Sequence, residues 1–255
     1  MKITLSLNKT TQQNASSYFD KAKKLKKKLE GAKTALIVSK EKMQVKEKEE
    51  KPAVKKKKII RKTEWYEKFR WFFSSEGFLC IGGRDATTNE IVIKKYTEKD
   101  DIVFHTDMAG SPFFVIKTDG KKPGEKTMNE TAQATASYAK AWDKGLTMLE
   151  VFYVNPDQVS KEAQSGEFMA KGSFMIRGKT NYLQPELRIA IGIKEGEIIG
   201  GPVEAVKSNA EKYVGIVPGN EKSSDMAKKI KKELGFEGSL DDIIRFIPAG
   251  GSRAV

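Results

Sequence analysis

Ile102-Val103-Phe104-His105-Thr106-Asp107-Met108-Ala109-Gly110-Ser111-Pro112-Phe113-Phe114-Val115-Ile116-Lys117 decides the fold class. Ile102 to Thr106 and Phe113 to Lys117 are short runs of β-branched and aromatic residues, and the sequence between them is small and turn-forming, which predicts two strands and a loop. Side chains two apart on a strand point the same way, so His105, the single histidine of the chain, and Asp107 should project from one face where the chain turns. That pair is the first candidate site.

Upstream, Ser74 to Ala86 supplies Glu76, Arg84, Asp85 and the paired glycines Gly82-Gly83. Phe78 to Gly82 predicts a strand, and Asp85 is placed to cap a helix running to Tyr96. Before it, Glu64-Trp65-Tyr66-Glu67-Lys68-Phe69-Arg70-Trp71-Phe72-Phe73 carries rings on a helical repeat. We expect a helix that opens the domain and packs into its core, in preference to a platform for stacking bases. Downstream, Thr127-Met128-Asn129-Glu130 reads as a capping box, followed by Ala132, Ala136, Ala139 and Trp142 on one helix face. Strands are expected at Met148 to Val154 and Phe174 to Ile176, and a hairpin from Ile189 to Ile199 across Lys194-Glu195-Gly196. After Pro202 come a helix near Glu204 to Lys212, a strand at Val214 to Val217, and helices near Ser224 to Leu234 and, behind the Ser239-x-x-Asp242 box, Leu240 to Phe246. Strands and helices mix without a βα repeat, so residues 63–255 are expected to form an α+β domain: a mixed sheet with packed helices, with about 200–255 an extension packed on it.

Of 255 residues, 20 Lys and Arg stand against 6 Asp and Glu up to Lys62, an excess of 14, while the remainder has 27 against 28. The net charge of +13 therefore belongs to the first 62 residues. There Tyr18, Ala22, Leu25, Leu29, Ala32 and Leu36 recur at spacings of four and three, with six lysines between Lys21 and Lys28. This is a basic amphipathic helical arm over 1–38. Residues 39–62, rich in Lys and Glu and including Lys55, Lys56, Lys57 and Lys58, read as a flexible linker. A cationic arm beside a neutral domain points to phosphate backbone over a plain solubilising tether or a membrane surface. No apolar run is long enough to span a membrane, and one cysteine, Cys80, excludes an internal disulfide and suits a reducing cytoplasm. Cys80 lies in an apolar run and reads as packed in preference to reactive.

The usual phosphate-loop, dinucleotide-turn and zinc motifs are missing, so no cofactor and no metal site is expected. Residue types for catalysis exist in His105, Asp107, Glu76 and Asp85, and a triad of Ser111, His105 and Asp107 has the right members, but positions i and i+2 of one strand face would not orient an imidazole against Asp107. Lys171-Gly172-Ser173-Phe174-Met175-Ile176-Arg177-Gly178-Lys179-Thr180-Asn181-Tyr182 is better suited to phosphate: its glycines let backbone amides approach, and Lys171, Ser173, Arg177, Lys179 and Asn181 offer donors.

Together, Trp65 to Phe72, Ser75-Glu76-Gly77, Gly82-Gly83-Arg84-Asp85-Ala86 with Asn89, His105-Thr106-Asp107 with Gly110 and Lys117, Val159-Ser160, Gly172 to Lys179 and Asn181-Tyr182-Leu183 resemble the carboxy-terminal RNA-binding domain of the NFACT family. Pro202 to Val206, Ile216 to Gly219 and Asp241 to Ile244 resemble its archaeal form. These are the ribosome quality control proteins called RqcH in bacteria and archaea and NEMF in animals. The resemblance implies a cytoplasmic RNA-binding protein that contacts tRNA and ribosomal RNA on stalled large ribosomal subunits, without catalysis of its own. It adds Arg84, His105 and Lys117 to the RNA-binding set. The family's amino-terminal domain has no counterpart here, so the expectations also include a partner chain that supplies it. An RNA-processing or RNA-modifying enzyme built on His105 and Asp107 is the alternative.

Overall fold

A computed structural model describes residues 4–49, 63–161 and 171–255, and the chain divides into two units, 1–62 and 63–255. The first unit contains one long helix, α1 (Thr11–Glu49). It continues past Ser39, where the linker was expected to begin, because Lys and Glu are good helix formers and no Gly or Pro lies between Ser39 and Pro52. Leu25, Leu29 and Leu36 of the heptad seam are exposed along it. Residues 50–62, including the expected linker lysines Lys55 to Lys58, lie outside the described residues.

In the second unit the chain runs β1 (Arg70–Phe73), β2 (Leu79–Gly82), α2 (Ala86–Lys95), β3 (Ile102–His105), β4 (Phe114–Lys117), α3 (Glu125–Ser137), β5 (Val151–Val154), β6 (Val159–Ser160), β7 (Met175–Ile176) and β8 (Asn181–Leu183). Among the described residues β1, β2, β4, β3, β5 and β8, in that order, form one antiparallel sheet. A second antiparallel sheet, ordered β10-β9-β11-β12, is built from β9 (Ile189–Lys194), β10 (Glu197–Gly201), β11 (Lys212–Glu221) and β12 (Ser252–Ala254). Helices α4 (Val203–Asn209), α5 (Ser223–Leu234) and α6 (Leu240–Ile244) belong to this second layer. The fold is α+β, and its second layer begins at Ile189.

Both faces of the first sheet are covered, which is why β4 reads as an unbroken apolar run. Phe104, Phe114 and Ile116 meet α3 and, beyond it, Ile189, Ile191 and Ile216 of the second sheet. Val103, Phe113, Val115 and Phe152 form a separate cluster on the opposite face with Val92 of α2. Helix α3 has small buried residues on all sides, from Thr131 and Ala132 to Ala136 and Ser137, so two layers can close on it. Cys80 is fully buried, and burial pushes its thiol up to about 12, which makes it inert as a nucleophile.

The hairpin β9–β10 turns through Glu195 and Gly196, both at positive φ, as a two-residue connection requires. Two expectations fail. Trp65 to Phe73 is a 3-10 turn (Trp65–Lys68) followed by strand β1, because pairing with β2 places Phe69 and Phe72 in different buried clusters, which one helix face could not do. Trp65 stays exposed, stacked on Tyr96 with ring centroids 4.8 Å apart. Helix α3 starts at Glu125, ahead of the expected Thr127 cap: the Glu76 carboxylate accepts from the Thr127 backbone N–H and hydroxyl, and Glu130 accepts from the Ser75 N–H.

Candidate nucleic-acid interface

The break after β2 is built by reciprocal capping. Asp85 accepts from the Thr88 N–H at 2.8 Å, and the Thr88 hydroxyl accepts from the Asp85 and Arg84 N–H groups. A Cβ on Gly83 would stand 1.9 Å from Asn89 Oδ1, so this position takes only glycine without displacing Asn89. Buried Asn89 in turn accepts from the Phe113 N–H and donates to the Ser111 carbonyl, fastening the β3–β4 loop to α2. On the far side Gly172, at φ +80°, lies against the Ala86 backbone and brings Lys171, Ser173 and Phe174 up to the same place.

These three segments wall a cleft of about 420 Å³. Arg84, Asp85, His105, Lys171 and Ser173, five of the residues singled out in the sequence, line it. Arg70 and Tyr138, which sequence reasoning missed, line it too, with the Arg70 guanidinium 4.0 Å from the centre of the Tyr138 ring. A charged residue inside the aromatic run Phe69-Arg70-Trp71 was the available signal; nothing local marked Tyr138. The Arg84 guanidinium donates to the Phe69 carbonyl at 2.9 Å. Burial, with the guanidiniums of Arg245 and Arg70, pulls Arg84 below its ordinary value, yet arginine stays charged. Among the described residues no carboxylate forms an ion pair with Arg70, Arg84 or Lys171. The Asp85 carboxylate is held by Thr88, which lowers its pKa. The cleft is thus rich in donors and positive charge.

His105 Nδ1 donates to the Pro112 carbonyl at 2.9 Å, the tautomer that this acceptor selects, and its ring stacks on Phe113 with centroids 3.7 Å apart. Asp107 is exposed and is not the partner of that nitrogen. The Ser111 hydroxyl donates to the Met108 carbonyl at 2.7 Å. Glu76 is spent at the start of α3 and Asp85 at the start of α2, so the residues of the catalytic alternative are each engaged separately. Among the described residues no group of His, Cys, Asp or Glu is arranged to hold a metal ion.

The remaining members of the RNA-binding set lie elsewhere. Lys117 is buried in an ion pair with Asp101 and donates to the Tyr96 carbonyl, which withdraws it from any ligand. Arg177 and Lys179 are exposed on a turn whose carbonyls accept from Gln158 Nε2, and Asn181 is exposed on edge strand β8.

Burial holds His105 below the ordinary imidazole value, against the Pro112 hydrogen bond and the Asp107 charge, which raise it. The unfolded chain therefore binds this proton more tightly. The stabilisation is complete above the unfolded value, near 6.5, and is lost as pH falls through the lower folded value. Denaturant titrations from about pH 7.5 to about pH 5 are expected to show a fall in stability that is shallower in His105→Gln; equal slopes would leave His105 without that role.

Residues 68–178 match the family described as NFACT protein RNA binding domain. The chain is 41% identical over 208 residues to the archaeal Rqc2 homolog aRqcH of Methanocaldococcus jannaschii, covering 78% of this chain and 31% of that protein. It is 40% identical over 179 residues to the human ribosome quality control complex subunit NEMF, covering 68% of this chain and 16% of that one. The chain thus spans about a third or less of the length of these curated relatives. A solved structure of the C-terminal part of the fibronectin/fibrinogen-binding protein from Streptococcus suis aligns over 69% of this chain and 77% of that one, with 19% identity and a TM-score of 0.39. No helix among the described residues is long and apolar enough to cross a membrane.

Proposed function

We infer the function from the family to which the chain belongs, that of the NFACT RNA-binding domain: it binds RNA, and it does so on obstructed large ribosomal subunits, contacting tRNA and ribosomal RNA in the cytoplasm without catalysing a reaction. The observation that carries the RNA contact is the convergence of Arg70, Arg84 and Lys171 in one cleft with no carboxylate ion-paired to them among the described residues. Such a site favours phosphate, because the guanidinium forks offer paired donors and the three cations outnumber the one lining carboxylate, Asp85. The human relative is a ribosome quality control complex subunit, and the large subunit is the partner that this role and the family resemblance suggest. The arm supports the same reading by adding attraction independent of sequence.

Double reversal, Arg84→Glu with Lys171→Glu in the full chain, is expected to weaken binding to tRNA and to large-subunit RNA by about tenfold or more at fixed salt, about 1.4 kcal/mol per tenfold. Filter binding measures it. Lys171→Glu alone serves as the second variant, since Arg84 also supports the Phe69 carbonyl and Lys171 is exposed. Affinity unchanged in both variants would remove the cleft from the RNA contact.

A further inference from the structure

We propose that the cleft takes a single unpaired nucleotide, with its phosphate toward Arg70, Arg84 and Lys171, and does not seat the backbone of an RNA duplex. The proposal rests on the RNA-binding reading and specifies what form of RNA that site accepts.

Shape is the first reason. The space of about 420 Å³ is closed on three sides by the start of α2, the β3–β4 loop and the turn at Lys171 to Phe174. That volume falls within the roughly 300–1,000 Å³ typical of small-ligand sites. A duplex offers its phosphates on a convex rod with its bases stacked inside, so it can lie across such a mouth but cannot enter it. An unpaired nucleotide can turn in, phosphate and base together.

The lining is the second reason. The Arg70 guanidinium carbon sits over the Tyr138 ring, 4.0 Å from its centre, which gives a planar cation beside an aromatic surface, the combination that holds a phosphate and a base in the same place. Phe174 is only half-buried and meets Phe113 edge-on, so it brings a second ring to the lining of the cleft. His105 supplies what the cationic side chains lack. With its Nδ1 proton given to Pro112, the neutral ring keeps a lone pair on Nε2, a hydrogen-bond acceptor for a ribose hydroxyl or an exocyclic amine. Burial keeps the ring in that neutral form.

Close backbone approach is the third. Gly110, at φ +83°, packs under the Lys140 side chain, and Gly172 packs on the Ala86 backbone, so the segments that wall the cleft are fastened closely to their neighbours and hold its shape.

The full chain is titrated, at salt high enough to suppress the arm, with a labelled single-stranded RNA of about ten nucleotides, within the range one single-strand site covers, and with the same strand paired to its complement. Free AMP is the competitor. The single strand is expected to bind at least tenfold tighter than the duplex. Arg70→Lys, which keeps the charge and removes the stacked plane, is expected to cost the single strand at least fivefold and the duplex nothing. Lys171→Glu, an exposed position, gives the same selective loss if Arg70→Lys does not fold. A strand that outcompetes AMP assigns the nucleotide to a polynucleotide, and AMP that matches the strand assigns it to a free nucleotide; both uphold the cleft. Equal affinity for strand and duplex, or equal losses in both from Lys171→Glu, would overturn the proposal while leaving RNA binding intact. Absence of binding to either form would overturn RNA binding itself.

Discussion

Removing residues 1–62 is expected to flatten the salt dependence of RNA binding. The arm carries an excess of 14 positive charges, and the remainder of the chain is close to neutral. If half of that excess reaches phosphate, about seven counterions are released, and affinity for the full chain should fall roughly 10³-fold or more between about 50 and 200 mM salt. Residues 63–255 form their own compact unit with its own buried clusters, so the deletion leaves the cleft in place. Its log-log slope should drop to that of the few cleft contacts. A full-length variant with Lys21, Lys23, Lys24, Lys26, Lys27 and Lys28 changed to Gln tests the same term without truncation, and its slope should lie between the two. A deletion that lowers affinity equally at every salt concentration would mean that the arm acts through something other than phosphate neutralisation.

The largest effect on stability is expected at Trp142. It is 1% exposed, in the cluster that joins the two sheets across α3. Its indole N–H donates to the Gly251 carbonyl at 3.0 Å and lies 3.2 Å from the Ser252 hydroxyl, tying the segment after α3 to the last strand. Trp142→Ala removes the ring and orphans buried acceptors, a cost of about 3–5 kcal/mol. For a unit of this size that lowers the melting temperature by on the order of 10 °C. Trp142→Phe keeps most of the volume and loses only the donor, which should cost about 1–3 kcal/mol. Thermal and denaturant unfolding of the two variants separates packing from hydrogen bonding. An alanine variant as stable as the phenylalanine one would show that the ring is not what joins the layers.

Much of this fold was legible locally because its signals are short-range. Asp85 caps α2 through Thr88, three residues on, and Ser239 caps α6 by accepting from the Asp241 N–H while the Asp242 carboxylate accepts from the Ser239 N–H. Ala132 and Ala136 are buried on α3 as expected, whereas Ala139 and Trp142, expected on the same helix face, are buried from the segment that follows the end of α3 at Ser137. The aromatic run was misread because rings at positions 65, 69 and 72 fit a helical period, whereas nine residues cannot reveal that β2 is waiting to pair with the last four of them. The Thr127 cap was misread because its N–H is met by Glu76, fifty-one residues earlier. Lys117 looked like an RNA contact until Asp101 was brought beside it.

By itself, then, the sequence determined the charge division at Lys62, the α+β character, most strand positions and the segments that wall the cleft, since composition and near-neighbour spacing carry all of these. Only the tertiary structure decided which of the candidate residues share one space. Arg70 joins Arg84 because β1 pairs with β2, and Tyr138 joins them from the end of α3. Lys171 and Ser173 arrive because Gly172 packs on Ala86, while Lys117 and Glu76 are drawn off into buried and capping contacts. Convergence of this kind depends on long-range pairing and packing, whose partners lie dozens of residues apart, and no local pattern encodes the distance between them.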